Sequence, residues 1–246
     1  MTNTVLLNNV DHQDLRVETR HSARFDDNVN QVPVFPTEFA DLQREYPIFL
    51  RRDDDGAFLA IALLGLDRDE NLFLDENAGW QARYIPAVQQ RGPFLIGFQD
   101  REGEDGQSRR EPMILVDLDH PRVCNGAGGG QPVFLEHGGN TAYLDHIVKV
   151  LGRIHTGMEA AGDMYAAFEA AGLIEPVAVE LKLSDTETYT VPDLFAISEE
   201  RLAALDGDTL ERLNAAGHLG AAFLMASSLG NVSRLIDMKN RARGAG

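Results

Sequence analysis

A cluster of acidic and histidine residues follows one short apolar strand of the predicted sheet. Its members are Asp117, Asp119, His120 and His137. Carboxylates and imidazoles are ligands for zinc, iron or manganese, and residues two apart on an extended chain project to the same face. The spacing lacks the His-x-Asp order of a facial-triad oxygenase and the His-Glu-x-x-His pair of a zinc hydrolase. Two interpretations follow, a metal site or, preferably, a turn whose carboxylates cap backbone amides before Pro121.

A second candidate site is rich in aromatic, proline and arginine residues and falls between residues 71 and 98. The candidate binding residues are Trp80, Tyr84, Pro86, Arg91 and Phe94. Such residues can build a rigid concave surface for a peptide or a planar ligand, and aromatic and arginine side chains are enriched among interface anchors. The same residues can also pack in a mixed core or form a hinge. Both interpretations are compatible with the sequence.

A β-rich first part and a helical second part must position these candidates. Short strand-like segments bounded by turn residues occupy residues 1–138, whereas helical patterns with one short hairpin dominate residues 139–246. Because the strands cluster first and the helices follow, the order is typical of an α+β protein and disfavours a parallel doubly wound sheet. We therefore expect a mostly antiparallel β region followed by a long helix and a C-terminal helical region, packed together as one domain.

The long helix is expected to organise the second part. Apolar residues within 147–168 recur at alternating spacings of four and three, which places them on one helical stripe. Asn140 is the predicted N-cap, and Gly172 can supply the left-handed residue that ends the helix. Each glycine inside this stretch costs about 1 kcal/mol relative to alanine, which allows a bend. The stripe predicts a core-facing scaffold helix, and a ligand groove along it is the alternative.

Three further helices are predicted near the C-terminus. The first begins after the cap Ser198, and the second starts at Asp208 and ends near Gly217. The third runs from Leu219 to about Arg241 and carries basic residues in its final turn, where a positive charge interacts favourably with the helix dipole.

Composition restricts the class of protein. The chain carries 39 acidic and 22 basic residues, for a formal charge of -17, whereas binding to nucleic acid or to an anionic membrane needs clustered lysine and arginine. Cys124 is the only cysteine, so neither an intramolecular disulfide nor a thiolate cluster can form. Residues 1–10 lack the features of a secretory signal, and no segment approaches 18 uninterrupted apolar residues. We therefore expect a cytoplasmic protein without a membrane span or a nucleic-acid partner.

Several short motifs resemble, in order, those of a known bacterial family. They are Glu45-Tyr46-Pro47-Ile48, Ala62-Leu63-Leu64-Gly65, Asn71-Leu72-Phe73, Trp80, Tyr84-Ile85-Pro86-Ala87, Arg91-Gly92-Pro93-Phe94, residues 195–205 and Ser228-Leu229. Together, from about residue 9 to about residue 240, they are similar to the SapC family. The family name comes from a surface-layer context, but the chain lacks the repetitive architecture of a lattice protein. The resemblance implies a genetic neighbourhood of outer-membrane receptors and of tryptophan-halogenase-like or cupin-like proteins in Gram-negative bacteria.

The function predicted from these observations is that of a non-enzymatic accessory or binding protein. It would recognise a peptide, a protein or a small aromatic ligand through the aromatic and arginine residues between 80 and 94, with no cofactor. The resemblance makes a halogenase-like or cupin-like protein the expected partner, and it brings no catalytic residues with it. The alternative is a metal-dependent, oxygenase-like enzyme that acts on a peptide or small molecule through Asp117, Asp119, His120 and His137. The first prediction is preferred because the ligand spacing of the second is missing.

Overall fold

The computed structural model of the chain describes residues 3–102, 108–124, 129–184 and 187–244. The strands within them are β1 (Thr4–Leu6), β2 (Arg16–Val17), β3 (Gln31–Val34), β4 (Ile48–Arg52), β5 (Phe58–Leu63), β6 (Leu74–Asp75), β7 (Gly79–Trp80), β8 (Phe94–Glu102), β9 (Ser108–Asp117), β10 (Val123–Cys124), β11 (Gln131–Pro132), β12 (Ile174–Ser184) and β13 (Glu187–Ile197). The α-helices are α1 (Phe39–Leu42), α2 (Ala87–Gln90), α3 (Ala142–Ala170), α4 (Glu199–Ala203), α5 (Gly207–Ala215), α6 (Leu219–Ser228) and α7 (Asn231–Gly244).

The predicted α+β class is confirmed, and its largest sheet joins both parts of the chain. This sheet has five strands in the order β12-β13-β4-β5-β3, and each neighbouring pair is antiparallel. The acidic turn around Asp53 connects β4 to β5, and its carboxylate accepts hydrogen bonds from the backbone of Asp55 and Ala57. The β12–β13 hairpin lies after α3 in the chain, yet β13 pairs with β4 where Phe195 faces Leu50. Residues from both predicted regions therefore share one sheet.

Two smaller sheets form a second layer under the beginning of α3. One has the order β1-β9-β8, and the other has the order β10-β2-β11. Their buried residues include Val17, Phe94 and Val116, which pack with Leu144 and Ile147 of the helix. The last turns of α3 instead contribute to the larger core, which lies against the five-stranded sheet. The helix is long enough to contribute residues to both cores.

The long helix forms where it was predicted, with a different N-cap. Thr141, not Asn140, is the capping residue, and its side chain accepts a hydrogen bond from the backbone N–H of Leu144. The side chain of Asn140 donates to Asp145 instead. Gly172 has a φ of 66°, the left-handed conformation that was expected beyond the helix end. The helix continues without a break through its glycines.

The prediction of one continuous third C-terminal helix is wrong, because α6 and α7 are separate helices. Buried Ser228 ends α6: its hydroxyl donates to the carbonyl of Met225 and accepts from the backbone N–H of Ile48. Asn231 begins α7 and donates to the carbonyl of Gln43. These tertiary hydrogen bonds hold the chain at the break, and helical periodicity does not reveal them.

The combined stretch Leu219–Gly244 is the single candidate membrane span among the described residues, by length and composition alone. Core helices of globular proteins can have the same composition. In this fold Met225 and Leu235 are buried in the larger core. Lys239, also in α7, donates to Asp67 and Glu70 near the end of β5.

Candidate functional site

A cavity of about 640 Å³ lies along one face of α3. Its opposite wall is the segment from Arg83 to Gly92, and its floor is formed by residues near β2 and β10, including His21 and Arg122. Pockets that enclose small molecules have volumes of roughly 300–1,000 Å³. The cavity is therefore large enough for a small molecule or for a few residues of a peptide.

The helical wall consists mainly of polar residues from one face of α3, with Val150 as an apolar member. Tyr143, His146, Lys149 and Arg153 follow one another at spacings of three, three and four, and all of them line the cavity. This spacing places side chains on the same side of a helix. The apolar stripe of α3 packs into the protein interior, so this polar stripe lies beside it and not within it.

A hydrogen-bond network holds Tyr84 in the opposite wall. Its hydroxyl donates to Oε2 of Glu38 at 2.8 Å and accepts from Nη1 of Arg153 at 2.9 Å. Glu38 is fully buried and also accepts from the backbone N–H groups of Phe35 and Ala87. Burial raises the pKa of Glu38, although these hydrogen bonds oppose the shift. Burial and the neighbouring Glu38 likewise raise the pKa of Tyr84, so the phenol stays protonated.

Trp80 lies behind the cavity wall and is connected to Tyr84 by Tyr46. The indole Nε1 of Trp80 donates to the hydroxyl of Tyr46 at 2.8 Å, and that hydroxyl donates to the carbonyl oxygen of Tyr84 at 2.6 Å. The Trp80 ring also meets the edge of His21, with 5.4 Å between ring centroids and an interplanar angle of 72°. His21 also lines the cavity, so one side chain separates Trp80 from the space inside it.

A buried ion pair supports the cavity floor. Nη2 of Arg122 donates to both carboxylate oxygens of Asp27, at 2.8 and 2.6 Å, and both residues are almost inaccessible to solvent. Nδ1 of His21 lies 3.3 Å from Oδ1 of Asp27. Burial alone would raise the pKa of Asp27, but the hydrogen bond with His21 and the charge of Arg122 hold it below its ordinary value. Arg122, Asp27 and His21 thus form one connected polar cluster under the cavity.

The structure separates the five predicted binding residues. Tyr84 lines the cavity, and Trp80 lies behind it. Pro86 is buried, and its carbonyl accepts from the backbone of α2. Phe94 is fully buried in the smaller core. Arg91 is half-buried and donates to the carbonyl of Phe94, and burial lowers its pKa.

The residues of the predicted metal cluster make turn contacts. Oδ1 of Asp117 accepts from the backbone N–H of Asp119 at 3.1 Å, and Nδ1 of His120 accepts from that of Arg122 at 3.1 Å. His137 is exposed in a different turn. Within residues 3–102, 108–124, 129–184 and 187–244, no three histidine, cysteine or acidic side chains are grouped so that they could hold a metal ion.

Sequence reasoning did not identify several residues that build the site. They are Asp27, Glu38, Arg122, Lys149 and Arg153. The spacing of polar residues along α3 could have revealed Lys149 and Arg153, because it is a pattern within a single helix. No motif links Arg122 to Asp27 or Glu38 to Tyr84, and only the fold brings these pairs together.

Comparison with known proteins gives one family match. The family model described as SapC matches residues 7–235, which is almost the whole chain. No curated protein and no solved structure gives a significant match.

Proposed function

The chain belongs to the SapC family, and from this premise we propose that the protein is a binding protein without catalytic activity, whose ligand occupies the cavity along α3. The ligand is a peptide segment or a small aromatic molecule. One observation carries this proposal: Tyr84, part of a motif that resembles the family, forms a wall of the cavity and is held there by Glu38 and Arg153.

The arrangement of the wall favours binding. Ligands pay less conformational entropy on association when the site is already ordered. Tyr84 is fixed at its hydroxyl by two side chains and at its carbonyl by Tyr46, so its ring is presented in one orientation. An ordered aromatic ring beside Ile85 and Val150 provides both an apolar surface and a preferred stacking direction for a planar group.

The test uses Trp80, the sole tryptophan, as an intrinsic reporter. A library of short peptides and non-indole aromatic compounds is titrated against the protein, and emission is followed, because the indole meets His21 at the cavity floor. We expect at least one compound to change the emission in a saturable way. Tyr84→Ala should lower the affinity for that compound by roughly tenfold or more, as expected for the loss of an anchoring aromatic residue.

Phe223→Ala is the matched control, because Phe223 is an exposed aromatic residue of α6 and is not among the residues that line the cavity. It should leave the affinity unchanged. If Tyr84→Ala does not fold, Gln89→Phe fills the cavity from the same wall without adding a second indole and should also abolish binding. Binding that survives in a folded Tyr84→Ala or Gln89→Phe protein would contradict the proposed site.

We further propose a cytoplasmic location and a protein partner of the tryptophan-halogenase-like or cupin-like kind. The family resemblance supports this partner, and a peptide ligand of the cavity could be a segment of it. Co-purification of the two proteins from the source bacterium, repeated with Tyr84→Ala, tests whether the cavity takes part in the association.

A further inference from the structure

The cavity concentrates positive charge in a strongly acidic protein. The chain as a whole has a formal charge of -17. The charged residues that line the cavity are the cations Arg83, Arg122, Lys149 and Arg153 and the carboxylates Glu18 and Asp41. A concave site lined by an excess of one sign focuses the electrostatic field and attracts the opposite sign. The excess of cations over carboxylates among these lining residues favours an anionic ligand.

Two of these cations are already committed to protein partners. Arg122 makes its buried ion pair with Asp27, and Arg153 donates to Tyr84 and lies 3.6 Å from a carboxylate oxygen of Asp41. Their charges are largely balanced within the fold. They shape the site more than they offer a free ligand contact.

The other two cations are available to a ligand. The side chains of Arg83 and Lys149 make no hydrogen bond or ion pair with any residue that the structure describes, and both line the cavity. The hydroxyl of Tyr143, on the same face of α3 as Lys149, also has no hydrogen-bond partner among the described residues. Burial raises the pKa of Tyr143, so this hydroxyl remains a donor at neutral pH. Three donors without a described acceptor thus line one cavity, two of them on exposed side chains, Arg83 and Lys149.

We propose that the ligand is an organic acid, whose carboxylate is bound by Lys149 and Arg83 and whose apolar or aromatic part packs against Tyr84. This inference rests on the proposed binding function and adds the chemical class of the ligand. The planar guanidinium matches a carboxylate with two parallel hydrogen bonds. Ile85 and Val150 line the same cavity, so apolar surface is available beside the charged end.

The experiment compares acids with their uncharged amides by isothermal titration calorimetry. N-acetylphenylalanine represents a peptide C-terminus and 3-phenylpropionate represents a free aromatic acid, and each is paired with its amide. Hydrogen bonds to charged groups are strong, so each acid that binds should bind roughly tenfold more tightly than its amide. The acid affinity should also fall with added salt. The two acids show whether the peptide group contributes.

Lys149→Gln should remove most of the difference between acid and amide. Arg241→Gln is the matched control: it removes the same unit charge from an exposed residue of α7 and should leave the difference intact. Arg83→Gln gives a second, independent variant if Lys149→Gln does not fold. Its expected effect is the same.

Several results would overturn the inference. Equal affinity for acids and amides would exclude carboxylate recognition yet leave the cavity as a binding site, and the Tyr84→Ala library test decides that separately. An equal loss of the acid–amide difference in affinity in the Lys149→Gln and Arg241→Gln proteins would mean that only the net charge of the protein matters. Inorganic phosphate that binds as tightly as the acids would assign the site to a free oxyanion, and the absence of binding by either acid would exclude this ligand class.

Discussion

The hydroxyl of Tyr84 donates a 2.8 Å hydrogen bond to Oε2 of Glu38, a carboxylate that solvent does not reach. The two residues are 46 positions apart in the chain. The loss of one donor to a buried carboxylate lowers the free energy of unfolding, because the desolvation of the charge is then no longer compensated. The position of the cavity wall and the stability of the fold thus depend on the same contact.

Tyr84→Phe should therefore destabilise the protein, although it keeps the ring. Loss of one donor to a buried acceptor costs about 1–3 kcal/mol in the free energy of unfolding. Urea denaturation followed by circular dichroism measures the change. Tyr143→Phe is the matched control, since the hydroxyl of Tyr143 has no hydrogen-bond partner among the described residues, and it should change stability by less than about 0.5 kcal/mol. Equal effects of the two variants would refute the structural role assigned to Glu38.

Arg122→Gln should cause a larger loss of stability than any surface charge removal. It leaves Asp27 buried without its cationic partner, and breaking a buried pair on one side costs about 3–5 kcal/mol. Arg52→Gln removes the same charge from an exposed pair with Glu169, where the expected cost is below about 1 kcal/mol. Chemical denaturation of both variants checks the contrast. A similar cost for both would show that the Arg122–Asp27 pair is not buried as described.

The contribution of Asp27 to stability should depend on pH in a defined direction. Its pKa in the folded protein lies below the ordinary value of 3.8, so the folded state binds the proton less readily than the unfolded state. The stabilisation is therefore fully present above the ordinary pKa and is lost as the pH falls through the lower, folded pKa. The difference in unfolding free energy between wild type and Asp27→Asn should shrink below about pH 4. A difference that stays constant down to pH 2 would contradict this.

Gly157 should be intolerant of alanine, whereas Gly162 should not. A Cβ atom at Gly157 would lie 2.5 Å from Cβ of Phe35 and 2.7 Å from Oγ1 of Thr37, so the helix and its neighbour would have to separate. Overpacking of this kind costs about 1–3 kcal/mol. A Cβ atom at Gly162 meets nothing within 4 Å, and alanine there should stabilise the helix by about 0.5–1 kcal/mol. Thermal denaturation of the two variants should therefore show shifts of opposite sign, and shifts of the same sign would be inconsistent with the close approach at Gly157.

Local patterns in the sequence determined much of the fold. The spacing of apolar residues predicted α3 and the end signal at Gly172, and the order of strands and helices predicted the α+β class. Helical periodicity and end signals act over a few residues, so a single sequence contains them. Of the two errors, the first was local and the second came from long-range contacts. Asn140 and Thr141 are both capable caps, and the break between α6 and α7 is held by contacts with the first part of the chain.

For the candidate binding residues, local patterns in the sequence did not determine which side chains line a cavity and which are buried. The prediction that Trp80, Tyr84, Pro86, Arg91 and Phe94 bind a ligand stays a prediction. The sequence alone determined that this segment is unusual in composition. Only the tertiary structure decided that Tyr84 lines a cavity while Phe94 is buried in a core.

Tertiary structure also decided the electrostatics of the site. Arg122 meets Asp27 across 95 positions, and Arg153 meets Tyr84 across 69. A polar pair between distant positions has no periodicity or spacing in the sequence, because its two members are brought together by the packing of separate elements. The sequence determined the charges and the helix, and the fold determined which of those charges neutralise one another and which, among the described residues, have no partner.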